Sequence, residues 1–536
     1  MLPYVSAEDK DWQFYLKEAD RSESQEGKWL RMTKKNFDLK DYHKPHQNLY
    51  ETLLDSARKY PDKTAVIDDE GEYTYRQLLD RVDRLAGVLK HKYHMERQEQ
   101  IAVIMVNSVH ILEVFYAAMK IGCIAVMVNT KFPGREMDKL IKTMDVKLIA
   151  GDSRWKDKIS QIEARKTVRG ILTDENDFDI ASYEKPAECV SGKEDTAVIM
   201  HTSGTTGMPK GVMVSQGNIL EAAYGYQEVQ GLDERAVTVL SVPIFHILGL
   251  SCVSTYFIYM GATIVLSAFY QVDDVIEKIR KYRATHFHTV PAIHLQIVKS
   301  RNPDKDLSSL RVMVCGGAPV SDEQIEAISA QAPNAVLHLA YGMTETAGSG
   351  TLSLYHKGPL HAVPNVACTV VDENHEEVAP GMIGEVVFHG PCVARGRWQL
   401  PSLPGPDMYS GDAGYMDEEG NVYVVDRIKD IVNRGGEKIF PRQIENIILE
   451  YPGIRDVSVY PVSDEKYGEV PMASMILKEG ADVDIDKLRE YLRHHLASYE
   501  IPAEFETVTA FPVTQNGKVR KAELRKIAEE KRKKAV

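Results

Sequence analysis

The sequence predicts an α/β protein: a large region of parallel-sheet α/β subdomains, a small β-rich section, and a smaller α+β unit towards the C-terminal end. Three observations predict it. The chain has 536 residues, more than one hydrophobic core normally supports, so several units are expected. Apolar runs alternate between strand and helix periodicity as far as about residue 340, the rhythm of strand–helix–strand units. After about Val366 the runs shorten and the turns crowd together, and from Asp430 a distinct set of helices and strands begins.

The elements follow in order. Residues 1–45 are polar and irregular and read as an extension laid on the surface. Asn48–Lys59 reads as a helix, Thr64–Ile67 as a strand, and Thr74 as the cap of a helix reaching about His91. Strands at Ile101–Val106, Ile124–Val128 and Val146–Ala150 alternate with helices at His110–Met119 and Arg135–Met144. Val237–Val272 contains no Asp, Glu, Lys or Arg, long enough on paper to span a bilayer. Pro243, His246, Gly249 and Gly261 interrupt it. A buried helix Ile247–Met260, a turn at Gly261-Ala262 and a strand Thr263–Ser267 account for it better. Further on, Thr369–Val371, Glu385–His389 and Val422–Val425 read as short antiparallel strands. The last unit holds helices Pro441–Tyr451 and Ile485–Leu496 and strands Val457–Val462 and Met472–Leu477, and the Lys/Arg-rich end reads as a solvated helix.

Composition excludes some functions. With 65 basic against 78 acidic residues the net charge is −13, which argues against nucleic acid as the partner. Six cysteines lie far apart with no Cys-x-x-Cys pair, which gives no disulfide framework or zinc signature and suits a cytoplasmic setting. The first residues lack a basic stretch followed by an apolar core, so no secretory signal is expected. His286 and His288 share one face of a predicted strand. With no third ligand nearby, a structural role outweighs a metal site.

The most informative stretch is an apolar strand running into Thr202, Ser203, Gly204, Thr205, Thr206 and Gly207, then Pro209, Lys210 and a second strand, Val212–Val214. Glycines let backbone N–H groups converge on an anion, hydroxyls add donors, and a lysine supplies a mobile charge. This is phosphate-binding chemistry. It is not the nucleotide P-loop, in which Gly-Lys-Ser/Thr enters a helix.

This run closely resembles the signature of the adenylate-forming superfamily: acyl-CoA synthetases, luciferases and peptide-synthetase adenylation domains. Further segments resemble that family in order and spacing, across roughly residues 48–525. Ala340-Tyr341-Gly342-Met343-Thr344-Glu345 is similar to its Tyr-Gly-x-Thr-Glu motif. The resemblance implies that Tyr341 stacks on adenine, Thr344 bonds phosphate oxygens and Glu345 holds Mg²⁺ between ATP phosphates. Gly316, Gly317, Ala318 and Pro319 resemble the adenine wall. Asp412, in Ser410-Gly411-Asp412, would hold the ribose hydroxyls. Arg427 would contact ribose or phosphate, Lys429 would be the hinge, and Lys518 the catalytic lysine. Gly435, Gly436 and Glu437 resemble the lining of the thiol tunnel, with Gly436 leaving room for a pantetheine arm.

The implied architecture is an extension (1–45), an ATP- and acid-binding domain (46–428) and a mobile C-terminal domain (429–536) that rotates about the hinge. The implied reaction joins a carboxylic acid to coenzyme A through an acyl-adenylate, with ATP, Mg²⁺ and CoA. Pro243-Ile244-Phe245-His246 resembles the acyl-CoA ligase version of the acid-pocket motif, with His246 gating the carboxylate. Amino-acid-activating relatives carry aspartate after the phenylalanine, so an α-amino acid, whose ammonium would be buried unpaired, does not fit. Ile247, Leu250, Ala340, Met343 and Ala347 are candidate pocket lining for an aryl or medium-chain acid, and simple core packing is the alternative. The chain departs from the family pattern at His361, at Ala340, in the short Gln399–Met408 link, and at Arg397, where an aromatic is usual. The rivals are an enzyme that loads a carrier protein's phosphopantetheine arm, a luciferase-like oxygenase and a non-catalytic nucleotide-binding scaffold.

Overall fold

A computed structural model describes residues 46–173, 189–202, 210–354, 358–398, 407–513 and 519–535. The N-terminal extension, Ser203–Gly207 and Lys518 lie outside the described residues. By its contacts the chain forms two compact units: Met1–Cys368 with Phe388–Met408 and Glu419–Asn421, and Thr369–Val387 with Tyr409–Glu418 and Val422–Val536.

The first unit is built on two sheets. In one, the described strands run in the order Leu360–Ala362, Gly350–Ser353, Val336–Gly342, Val312–Gly316, His286–Thr289, Val237–Leu240, Thr263–Leu266, Thr64–Ile67 and Glu72–Thr74. Pairing is parallel from Val336–Gly342 through Thr64–Ile67 and antiparallel at the two outer ends. The other sheet runs Gly396–Arg397, Lys210–Ser215, Thr196–Thr202, Ile124–Met127, Gln100–Ile104, Val146–Gly151 and Gly170–Thr173. Its inner strands Gln100–Ile104 and Ile124–Met127 are parallel and buried along their whole length, hence their mostly apolar sequence.

The helices begin where their side chains can cap them. Asn48 accepts from the Glu51 N–H, and Thr74 forms a capping box with Gln77, opening Leu49–Lys59 and Tyr75–Gly87. The long uncharged stretch resolves into strands and a helix inside the unit, and no described helix is long and apolar enough to cross a membrane. That helix departs from the expected form. Leu248–Thr255 is wound as a π-helix and only Tyr256–Met260 is α-helical. Ser254 Oγ donates to the Gly249 carbonyl at 2.7 Å, so a side chain helps satisfy the widened turn.

In the second unit, strands Ile454–Asp464 and Gly468–Leu477 pair antiparallel, and Glu504–Thr507 joins in parallel. Helices Pro441–Glu450 and Ile485–Arg493 bury Ile444, Ile448, Leu488 and Leu492 against Val457, Val459 and Met475. The terminal helix, Lys521–Ala535, is not simply solvated. Leu524 and Ala528 are buried against Tyr460, Val462, Val470 and Met472, an apolar stripe concealed in the sequence by the surrounding charges. Burying one leucine contributes about 2 kcal/mol, enough to dock an otherwise polar helix.

Candidate active site

Strands Val237–Leu240, His286–Thr289, Val312–Gly316 and Val336–Gly342 are neighbours and parallel, so their carboxyl ends share one edge. The segments leaving that edge carry His246, Val290, Gly317–Pro319 and Met343–Ala347. Ligands of open parallel α/β sheets bind outside the carboxyl ends of the strands. Topology alone therefore gathers these motifs on one edge.

Gly316 lies opposite Ala340, and a Cβ on it would fall 2.9 Å from the Ala340 Cβ and 3.1 Å from the Ala340 oxygen. The wall stays flat because no larger side chain fits there. Gly317, Ala318 and Pro319 beyond it are exposed. The half-buried Tyr341 ring is held by Phe388 at 5.4 Å between centroids.

Thr344–Thr346 form a single 3₁₀ turn, and Ala347 follows at φ +55°. The Thr346 hydroxyl accepts the Met343 N–H at 3.2 Å and donates to the Ser349 carbonyl, which fixes the turn. Glu345 is buried, and its carbonyl accepts the Ala394 N–H at 2.7 Å. Its Oε1 accepts Arg397 Nη2 at 3.1 Å.

In the sequence Arg397 stands out only as a departure from the family pattern, and its contact with Glu345 is not legible there. The residue lies on the two-residue strand Gly396–Arg397, with Arg397 opposite Val212, and the Trp398 N–H donates to the Gly211 carbonyl at 2.8 Å. Trp398 Nε1 donates to the Thr143 carbonyl at 3.1 Å, which anchors the end of the strand. A cation replacing an aromatic was the available signal, but its partner stands 52 residues away in sequence.

Among the described residues, no group of three or more His, Cys, Asp or Glu could hold a metal. One buried carboxylate suits magnesium, which keeps waters and phosphate oxygens as its other ligands, so Glu345 fits a Mg²⁺ delivered with ATP. His286 and His288 are buried among aromatic rings, 4.9 Å from Phe257 and 6.0 Å from Tyr226 respectively. Burial first, then neighbouring imidazoles, pushes His286 well below its ordinary value and His288 down to about 3. Both are neutral packing groups.

On the acid side, His246 is half-buried 4.7 Å from Phe245, and its backbone N–H donates to the Pro243 carbonyl at 3.1 Å. A Cβ on Gly348 would lie 2.5 Å from Cys252 Sγ and 3.3 Å from Ile247, so the π-helix presses directly on this turn. The Tyr226 hydroxyl donates to the Gly348 carbonyl at 2.8 Å, and its ring stands 6.0 Å from those of Tyr256 and His288. Ile247, Ala340 and Met343 are half-buried, whereas Leu250 and Ala347 expose no surface.

The second unit carries its own charged pair. Strand register sets Asp412 opposite Arg427, with Arg427 Nε 2.9 Å from Asp412 Oδ1. Asp426 accepts the Arg427 and Arg442 N–H groups, each at 2.8 Å, fixing the strand end just before the exposed Lys429. Gly435 and Gly436 form the turn between Val432–Arg434 and Glu437–Ile439, at φ +61° and +103°. At Gly436 a Cβ would meet nothing within 4 Å, so here the backbone conformation requires glycine. Of the Thr202–Lys210 run, only the flanks are described: Thr202 and Lys210 stand opposite each other on paired strands.

Comparison with known proteins agrees with these motifs. The model of the AMP-binding enzyme family matches residues 53–398, and that of the AMP-binding enzyme C-terminal domain matches 443–518. A feruloyl-CoA synthase from Amycolatopsis sp. is 31% identical over 88% of this chain and 97% of its own. The 4-coumarate–CoA ligase 1 of Petroselinum crispum is 28% identical over 90% and 94%. The solved o-succinylbenzoate CoA synthetase of Bacillus subtilis, in complex with its acyl-adenylate intermediate, superposes with a TM-score of 0.78 at 26% identity, covering 90% of this chain and 98% of that one. The chain belongs to the AMP-binding enzyme family, as an AMP-forming acid–CoA ligase.

Proposed function

We propose that this ligase activates an aryl acid and transfers it to CoA. The reaction takes ATP with Mg²⁺ and uses CoA as co-substrate. A carboxylate oxygen attacks the α-phosphorus, the bond to pyrophosphate breaks, and the acyl-adenylate forms. The CoA sulfur then attacks the acyl carbon, AMP leaves, and the thiol proton is lost. Neither step requires a covalent enzyme intermediate, so catalysis consists of positioning and of positive charge placed against converging anions.

In this reading Gly316–Pro319 and Tyr341 hold the adenine, and Asp412 holds the ribose. Thr202–Gly207, Lys210 and Thr344 cradle phosphate oxygens, and Arg427 contacts ribose or phosphate. Mg²⁺ on Glu345 would neutralise phosphate charge as it shifts towards the leaving group. Lys518 belongs to adenylate formation, and Gly435–Glu437 to the thiol step. Residues 46–428 and 429–536 act as the two domains, with Lys429 as their hinge. His246 guards the carboxylate entrance. The buried or half-buried thiols, Cys189 among them, suit a reducing cytoplasm.

One observation carries the choice of acid: the half-buried apolar side chains Ile247, Ala340 and Met343 on the same strand edge as His246, backed by the buried rings of Tyr226, Tyr256 and His288 behind the Gly348 turn. The names of the relatives, feruloyl-, 4-coumarate- and o-succinylbenzoate-CoA ligases, point the same way. The test is pyrophosphate release over hydroxycinnamic, benzoic, medium-chain and dicarboxylic acids, with and without CoA. An aryl acid should exceed a medium-chain acid by about tenfold or more in kcat/KM, the scale of a few methylene-sized contacts. A medium-chain acid as the best substrate would overturn the choice. A thioester formed only on a carrier protein would favour the carrier-loading alternative.

A further inference from the structure

Among the described residues Arg397 is the cation seated on the candidate magnesium carboxylate, at a position where the sequence departs from the family pattern. The Glu345 side chain is only 10% exposed, and a carboxylate that buried needs a counter-charge. Arg397 Nη2 supplies it at 3.1 Å. The Arg397 side chain is itself 26% exposed, and its Nε is buried with no hydrogen-bond partner among the described residues. The arginine thus neutralises Glu345 while one buried donor stays unused. Its backbone is fixed by pairing with Lys210–Ser215 and by the Trp398 contacts, so the side chain must move if the contact is exchanged.

We propose that Arg397 is a positioning residue that competes with Mg²⁺ for Glu345: it neutralises the carboxylate before Mg·ATP binds, yields it to the metal, and then turns its free donor to an anionic phosphate oxygen. This rests on the reading of Glu345 as the magnesium ligand. A guanidinium matches carboxylate and phosphate oxygens equally well, so the exchange trades one charge-assisted hydrogen bond for another. An aromatic at this position could do neither.

Calorimetric titration of the full chain with ATP, at a series of Mg²⁺ concentrations and in EDTA, reads both halves without turnover. Arg397→Gln should weaken metal-free ATP binding about tenfold, because the Glu345 carboxylate then faces the phosphates without a counter-charge. It should also lower the Mg²⁺ concentration at half-effect severalfold, because the competitor is gone. Arg397→Tyr, which restores the family's usual aromatic, provides a second variant and should behave in the same way. An unchanged Mg²⁺ half-effect in both variants, or a lowered Tm with no change in either titration, overturns the competition and leaves only a packing role. Glu345→Gln separates the premise from the inference. If it leaves the Mg²⁺ dependence intact, the reading of Glu345 fails. If it abolishes that dependence while the Arg397 variants do nothing, only the competition fails.

Discussion

Glu345 and Asp412 are both buried carboxylates facing an arginine, one in each unit, yet the two pairs are built differently. Asp412 and Arg427 face each other across a long antiparallel ladder, so the backbone sets their 2.9 Å approach. Arg427 is half-exposed and retains access to water. Glu345 stands on a single 3₁₀ turn and meets an arginine from a two-residue strand, and both partners are largely shielded. The first pair is preformed by its strands and has one partner open to water, while the second depends on tertiary docking and leaves a buried donor unused among the described residues. Charge pairs of similar length therefore differ in what their loss costs, because burial rather than distance sets the penalty for an orphaned partner.

The largest separation between them should come from Glu345→Ala. Adenylate formation, followed as pyrophosphate release, should fall a hundredfold or more, the usual consequence of removing an electrostatic group from a reacting centre. The same change strands Arg397 and should cost stability by about 2 kcal/mol, seen as a lowered Tm. Asp412→Ala should raise the ATP KM about tenfold with little change in the KM for the acid. Because Arg427 remains hydrated, its stability cost should stay below about 1 kcal/mol. Equal losses of stability in the two variants would erase the distinction.

Uncharged buried groups sharpen the contrast further. His288, pushed down to about 3, stays neutral in the fold while the unfolded chain takes up a proton below about pH 6.5. The unfolded state then binds more protons, so this contribution is intact above pH 6.5 and is lost progressively as pH falls towards 3. His288→Phe should flatten the decline of Tm between pH 6.5 and 5, and an unchanged slope would contradict the neutral assignment. Gly436→Ala should lower stability by about 1 kcal/mol, read as a modest fall in Tm, since φ is +103° but no neighbour is struck.

The fold was legible where apolar runs were short and firmly bounded. Thr64–Ile67 and the start of Tyr75–Gly87 fall where alternation and capping predict them, because a buried strand and a side-chain cap are local devices. The close approach at Gly316 and the Tyr-Gly-x-Thr-Glu turn were legible as motifs because backbone conformation and close approach restrict their residues. The π-winding of Leu248–Thr255 was not, since an all-apolar segment has no polar face to report its period. Nor was the Arg397 contact, which needs two strands docked side by side before the charges meet. The buried stripe of the last helix was hidden for a similar reason: Leu524 and Ala528 carry too little apolar weight among so many charges.

The central claim is that one acid passes through an adenylate to a thioester of CoA. A single-turnover quench with excess enzyme, ATP, Mg²⁺ and a hydroxycinnamic acid, read by mass spectrometry before and after addition of CoA, tests it most directly. The predicted result is an enzyme-bound aryl-adenylate without CoA that converts stoichiometrically to aryl-CoA and AMP when CoA is added. Thioester formation without a prior adenylate, or an adenylate that CoA fails to discharge, would contradict the account.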